Sequence, residues 1–159
     1  MGYYLTMTEF PDETDRRILR LLQKDASLSV DNIAESAGLS RNACWRRIKR
    51  MEESGVIRAR VALVDPAAIG LGLTVLVMIR TNAHEPDWLR RFDEAVRMMP
   101  EIVGAYRMTG DLDYVLRVRV GSVADYDRFY RALVARVPIA DISASFVMEE
   151  IKETTAMPV

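Results

Sequence analysis

Between Val30 and Gly55 the chain reads VDNIAESAGLSRNACWRRIKRMEESG, and no other stretch restricts the fold as much. Ser29 or Asp31 can open a short helix that places Ile33, Ala34 and Ala37 on one face. Gly38 follows where a left-handed residue is needed to turn the chain, and Leu39 anchors the turn. Ser40 then caps a second helix in which Cys44, Ile48 and Met51 fall at i, i+4 and i+7, and Gly55 is its stop signal. A small residue, a turn glycine, an apolar anchor and an amphipathic helix make a helix-turn-helix pattern, here at about residues 30–49. Upstream, PDETDRRILRLLQKD supplies a helix with Asp12 as N-cap and Ile18, Leu21 and Leu22 on a stripe.

The second helix of the pair is also where positive charge collects. Arg41, Arg46, Arg47, Lys49 and Arg50 lie within it, although the whole chain carries a formal charge of −1. With Cys44, Ile48 and Met51 facing in, Arg41, Asn42, Trp45, Arg46 and Lys49 face out behind the Ser40 cap. Arg suits the acceptor edge of guanine and Asn the edge of adenine, so this face fits the major groove of double-stranded DNA. Arg47 and Arg50 flank the apolar stripe and are expected on phosphate rather than on bases. The plain alternative is a solvated helix face. Trp45 can cover a thymine methyl or a sugar, or lie over the stems of Arg41 and Lys49. Cys44 reads as a core residue, with redox sensing as its alternative.

After Gly55, VIRARVALVD reads as a strand closed by Asp65-Pro66, with Arg58 and Arg60 either adding backbone contacts to DNA or solvated. The last ninety residues then give strand, helix, strand twice over. LTVLVMIRT, EIVGAYRMT, DYVLRVRV and DISASFVMEEIKET read as strands. The first helix places Trp88, Leu89, Phe92, Ala95, Val96 and Met99 inward, and the second Val123, Tyr126, Phe129, Tyr130, Leu133 and Val134. The order βαββαβ predicts an α+β, ferredoxin-like layer: an antiparallel four-stranded sheet with both helices on one face. Its other face has no helix to cover it, yet Leu76 and Met78 point there, and Val147 and Ile151 fall on alternating positions of the last strand. Pairing sheet to sheet with a second copy would remove that apolar surface from water, so at least a homodimer is expected.

Composition narrows the class further. Half of the residues are apolar and 28% charged, ordinary for a globular protein, and no apolar run approaches the ~20 residues of a membrane helix. MGYYLTMTEF lacks the pattern of a secretory signal, so a cytoplasmic location is expected, with no membrane partner. One cysteine excludes an internal disulfide, and one histidine, His84, argues against a protein-built metal site; neither metal nor cofactor is expected. A lone loop histidine with no nucleophile beside it also argues against catalysis. The resulting division is a tail at 1–11, a helix-turn-helix domain with its linker strand at 12–70, and a ferredoxin-like oligomerisation domain at 71–159.

TDRRILRLLQKDASLSVDNIAESAGLS, WRRIKRMEESGVI, RMTGDLDYVLRVRV and VMEEIKETTAMPV, in this order, resemble the Lrp/AsnC (leucine-responsive, feast/famine) transcriptional regulators. The resemblance implies a winged helix-turn-helix joined to a ligand-sensing ferredoxin-like domain, dimers that assemble further to octamers, and control by a small effector, usually an amino acid. It places the effector at YRMTGDLDY, through Tyr106, Thr109, Gly110, Asp111 and Asp113. Backbone N–H groups around Gly110 suit a carboxylate, and Asp111 or Asp113 an ammonium. A tight turn needing Gly and Asp for backbone geometry alone is the competing explanation. Likewise Glu149, Glu150, Lys152 and Glu153 can serve simply to keep an edge polar. Two other functions fit the same scaffold: an architectural DNA-binding protein without effector, and an enzyme resembling the siroheme decarboxylases.

Overall fold

A computed structural model describes residues 11–81 and 85–159, so the tail at 1–10 and His84 lie outside the described residues. The chain forms two compact units, one running to Ala62 and completed by Lys152–Val159, the other spanning Leu63–Ile151.

The first unit is three helices, α1 (Glu13–Lys24), α2 (Val30–Ala37) and α3 (Arg41–Glu53). Each begins at a side-chain cap. Asp12 accepts the Asp15 N–H while Asp15 reaches back to the Asp12 N–H; Ser29 accepts from Asn32 and Ser40 from Ala43. Gly38 takes φ +68°, the left-handed conformation the sharp α2–α3 turn requires, and Leu39 closes it by donating to the Ala34 carbonyl. The core contains Ile18, Ile33, Ala34, Ala37, Cys44, Ile48 and Met51, as the spacing predicts; Leu19 joins it, while Leu21 and Leu22 are half-buried. Cys44 is fully buried and burial pushes its thiol upward, away from the thiolate a redox sensor needs, which leaves it a packing residue.

The C-terminal segment completes this unit. Gln23 on α1 donates to the Met157 carbonyl and accepts from the Met157 N–H, Arg20 donates to the Val159 carbonyl at 2.9 Å, and Val159 packs on the three-helix core. The strand expected after Gly55 is absent: no pairing partner lies beside residues 56–65 among the described residues, and Val61, Leu63 and Val64 are exposed. Arg60 pairs instead with Glu52 at 2.9 Å.

In the second unit a one-turn helix (Ala67–Ile69) precedes β1 (Leu73–Arg80), α4 (Pro86–Met98), β2 (Ile102–Arg107), β3 (Tyr114–Val120), α5 (Val123–Arg136) and β4 (Asp141–Phe146). The sheet order is β2-β3-β1-β4, antiparallel throughout, which is the predicted ferredoxin-like layer. Val75, Val77, Ile79, Leu116, Val118 and Val120 meet Trp88, Phe92, Ala95, Phe129 and Leu133 in one core. Burying these side chains supplies most of the folding drive of this unit. Val123 departs from the expectation: as the first residue after the Ser122 cap it overhangs the end of the stripe and is exposed.

Strand alternation and register place Thr74, Leu76, Met78, Tyr106, Val115, Arg117, Arg119, Ser143 and Ser145 on the face away from the helices. β4 stops at Phe146 rather than running to Thr154. Beyond a last ladder bond from Val147 to Thr74, the chain turns so that Glu150 accepts from Thr74 Oγ1 at 2.7 Å and pairs with Arg119 at 2.8 Å. A charged clasp thus replaces the end of the strand. The Thr74 hydroxyl, followed by Arg119 and Arg117, holds the Glu150 carboxyl below its usual range.

Candidate nucleic-acid interface and effector site

The outward face of α3 consists of Arg41, Asn42, Trp45, Arg46 and Lys49, all exposed. The Arg41 and Lys49 side chains are 71% and 50% accessible, and Trp45 as a residue 54%. Their intramolecular ion pairs are loose, Arg41–Asp31 at 3.4 Å and Lys49–Glu53 at 4.0 Å. Exposed pairs of this kind contribute little, ~0–1 kcal/mol, and give way to a polyanion. Ser40 uses its hydroxyl to cap α3 at 3.3 Å, so any contact with DNA comes in addition to that bond. Trp45 does not pack into the core, whereas Trp88, the other tryptophan, is buried with its indole N–H on the Pro138 carbonyl.

Arg47 and Arg50, expected on phosphate, are engaged by carboxylates within the free chain. Arg47 donates to Asp12 at 2.7 Å and to Asp15 at 2.9 Å; Arg50 donates to the other Asp15 oxygen at 2.7 Å. Asp15 is 1% exposed. A carboxylate out of water requires compensating positive charge, and the stripe's flank is where α3 passes the first turn of α1. The Asp12 and then the Asp15 carboxylates hold the Arg47 guanidinium above its usual range, and the Asp15 N–H and Arg47 hold Asp12 below its own. Both arginines are therefore ties within the helix-turn-helix unit. Sequence spacing missed this because it reads one helix at a time and the partner carboxylates lie on another.

The segment proposed for an effector joins β2 to β3. Tyr106, Thr109, Gly110 and Asp111 are exposed, and Gly110 has φ +95°, a conformation that L side chains rarely adopt. Asp113 is half-buried and clasps the backbone: its carboxylate accepts the Thr81 N–H at 2.7 Å, its N–H donates to Ile79, and its carbonyl accepts from Met108. Arg80 donates from Nε to the Asp111 carbonyl at 3.0 Å and pairs with Asp141 at 2.7 Å, adding a cation that the sequence did not single out. Across β2 from this loop a groove of about 280 Å³ runs between strand and α4, lined by Leu89, Phe92, Val96, Tyr106, Arg107 and Tyr114, with Asp93 at its side. Arg107, one residue from Tyr106 and therefore on the opposite face, also escaped the sequence reading. Alternation along β2 was the signal that would have found it.

Among the described residues no cluster of His, Cys, Asp and Glu has metal-binding geometry, and no helix is long and apolar enough to cross a membrane.

With this geometry in place, the comparisons with known proteins become specific. Residues 11–58 match a winged helix-turn-helix DNA-binding domain, and residues 74–157 the Lrp/AsnC ligand binding domain. The chain is 50% identical over 147 residues to the glutamate uptake regulatory protein of Zymomonas mobilis, covering 92% of this chain and 90% of that one. It superposes on an AsnC family transcriptional regulator from Agrobacterium tumefaciens with a TM-score of 0.90 at 52% identity, covering 92% and 96% of the two chains. It also matches the transcriptional regulator NMB0573 of Neisseria meningitidis, solved as a complex with L-methionine, with a TM-score of 0.88 at 32% identity over 92% of this chain and 96% of that one. The chain belongs to the Lrp/AsnC family of DNA-binding transcriptional regulators.

Proposed function

We propose that this regulator reads its operator with the outward face of α3, through Arg41, Asn42, Trp45, Arg46 and Lys49 with Ser40 at the helix start, and that an amino acid sets its assembly or its DNA affinity. One observation carries the first part: the polar and cationic side chains of α3 stand in solvent while its sulfur-and-aliphatic seam is locked into the core. Two such helices in a dimer, spaced about one DNA turn apart, match a two-fold operator. Enrichment of duplexes from a random pool tests this. Recovery of a two-fold symmetric site is the expected result, and a pool that never departs from random sequence overturns it.

The effector reading rests on the loop from Tyr106 to Asp113 and the groove beside it. Gly110 and neighbouring N–H groups suit a carboxylate, Asp111 an ammonium, and the apolar wall of Leu89, Phe92 and Val96 a side chain. Asp113 then acts by holding the loop, since one of its carboxylate oxygens is already on Thr81. The amino-acid complex of the meningococcal relative supports the ligand class. A dimer formed through the open sheet face, assembling onward to octamers, would let occupancy of this loop change how the DNA-reading units are spaced, provided the ligand favours one arrangement. A thermal-shift panel of the standard amino acids, read together with scattering mass, is the test. At least one amino acid is expected to raise Tm and alter mass or DNA affinity, and Asp111→Ala or Asp113→Ala to abolish the response. No response to any of them would leave an effector-independent DNA-binding protein.

A further inference from the structure

Resting on the DNA-binding reading above, we infer that Asp15, assisted by Asp12, is a specificity-determining residue: it withholds Arg47 and Arg50 of the recognition helix from the DNA backbone. Both arginines belong to the helix that faces DNA, and Arg50 retains a side chain that is more than half exposed. Nothing in their position along α3 keeps them from phosphate. Their partner does. Asp15 is buried, and each of its oxygens takes one guanidinium, Arg47 at 2.9 Å and Arg50 at 2.7 Å, while Asp12 takes Arg47 again at 2.7 Å. For either arginine to move to a phosphate it must give up its own oxygen of a buried carboxylate and leave that oxygen without a cation, a cost that a solvent-exposed phosphate contact does not recover. Phosphate contacts add affinity that is blind to sequence, whereas base contacts discriminate. Committing two of the five cations of α3 internally therefore lowers non-specific affinity and leaves Arg41, Asn42, Arg46 and Lys49 to carry a larger share of binding. Asp15 touches no base; it acts through the arginines it holds.

The test is the salt dependence of binding by the full chain, measured by fluorescence anisotropy on a mixed-sequence duplex and on the site selected from a random pool. Asp15→Asn frees Arg50 and leaves Arg47 to Asp12 alone. The slope of log affinity against log salt on the mixed-sequence duplex is expected to steepen by about one for each arginine that reaches a phosphate. Mixed-sequence affinity is expected to rise roughly tenfold and affinity for the selected site much less, so the specificity ratio falls. The decisive arm is coupling. Arg50→Gln in the intact chain should leave the slope unchanged, whereas the same change made with Asp15→Asn should take back part of the steepening. A uniform field effect of the lost charge would be additive instead. Should Asp15→Asn fail to fold, Asp12→Asn decides, since Asp12 is exposed and Asn caps as well as Asp: it is expected to give a smaller steepening that Arg47→Gln removes. An unchanged slope in the folded variants, or an equal loss from Arg50→Gln with and without Asp15, overturns the inference. Failure of the unaltered chain to bind any duplex is a different result, and it sinks the DNA-binding reading rather than this one.

Discussion

The outward face of α3 and the open face of the sheet both carry arginines, and they treat them in opposite ways. On α3 the Arg41 side chain is 71% accessible and its nearest carboxylate sits at 3.4 Å. On the sheet the Arg119 side chain is 12% accessible and bound to Glu150 at 2.8 Å, opposite Thr74 and on the face that also carries Leu76, Met78 and Val115. A cation kept in solvent with a loose partner is ready to exchange that partner for a polyanion. One already neutralised, on a sheet face that also carries apolar side chains, is suited to be covered by protein, because it brings its own compensation with it. Under the proposed function the same residue type marks a nucleic-acid surface in one place and a subunit surface in the other, with the partner carboxylate deciding which.

The largest effect that would break this contrast is removal of either core beneath it. Ile33→Ala in the three-helix unit is expected to cost about 2–5 kcal/mol, comparable to the whole stability of so small a unit. Calorimetry should show the DNA-binding unit unfolded while the sheet unit keeps its own transition; loss of both transitions together would mean the units are not separable. Next comes the open sheet face. Met78→Asp puts an unpaired charge where a second copy is expected to cover it, at about 3–5 kcal/mol, and light scattering should report single chains in place of the assembly. An unchanged mass would free that face for some other role.

On α3 itself, Arg46→Ala is expected to weaken binding to the selected site by about 1–3 kcal/mol and Arg50→Ala by much less, read from anisotropy isotherms. The opposite ranking would show that the phase assigned to the helix is wrong. Smaller again, ending the chain after Glu153 removes the Gln23–Met157 pair and the packing of Val159, and should lower the stability of the helical unit by about 1 kcal/mol with the sheet transition untouched. The smallest effect is with pH. The Asp12 and Glu150 carboxyls are held below their ordinary range, so their contributions are complete above about pH 4.5 and fade as pH falls through their lowered values. Melting curves between about pH 6 and pH 3 should show Asp12→Asn flattening the acid loss of the helical unit and Glu150→Gln that of the sheet unit.

Where the sequence was legible, the cause was local. Asp12, Ser29 and Ser40 announce helix starts because a cap acts on a backbone N–H about three residues away, and Gly38 announces the turn because its φ is positive. The sheet order followed from the alternation of short strands and helices. What escaped was set by partners far along the chain. The return of Met157 and Val159 to α1 depends on contacts more than a hundred residues apart, and no periodicity encodes it. Residues 56–65 show strand propensity but have nothing to pair with in a single chain, so propensity alone misleads there. Glu150 turns the last strand aside because Thr74 and Arg119 attract it, and Asp15 takes Arg47 and Arg50 for a similar reason. At the loop proposed for the effector the Gly110 turn was legible, but the use of Asp113 as a backbone clasp was not, since Thr81 lies just past the end of β1, far from it in sequence.

Acrylamide quenching of tryptophan fluorescence during a titration with duplex DNA reaches the heart of the matter most directly. Trp88 is buried and shielded from the quencher at the outset, so the quenchable emission belongs to Trp45 on the outward face of α3. If that face enters a groove, saturating DNA will shield Trp45 and the quenching constant will fall severalfold toward that of a buried indole. A Trp45 that stays as accessible in the saturated complex as in the free protein would place DNA on some other surface.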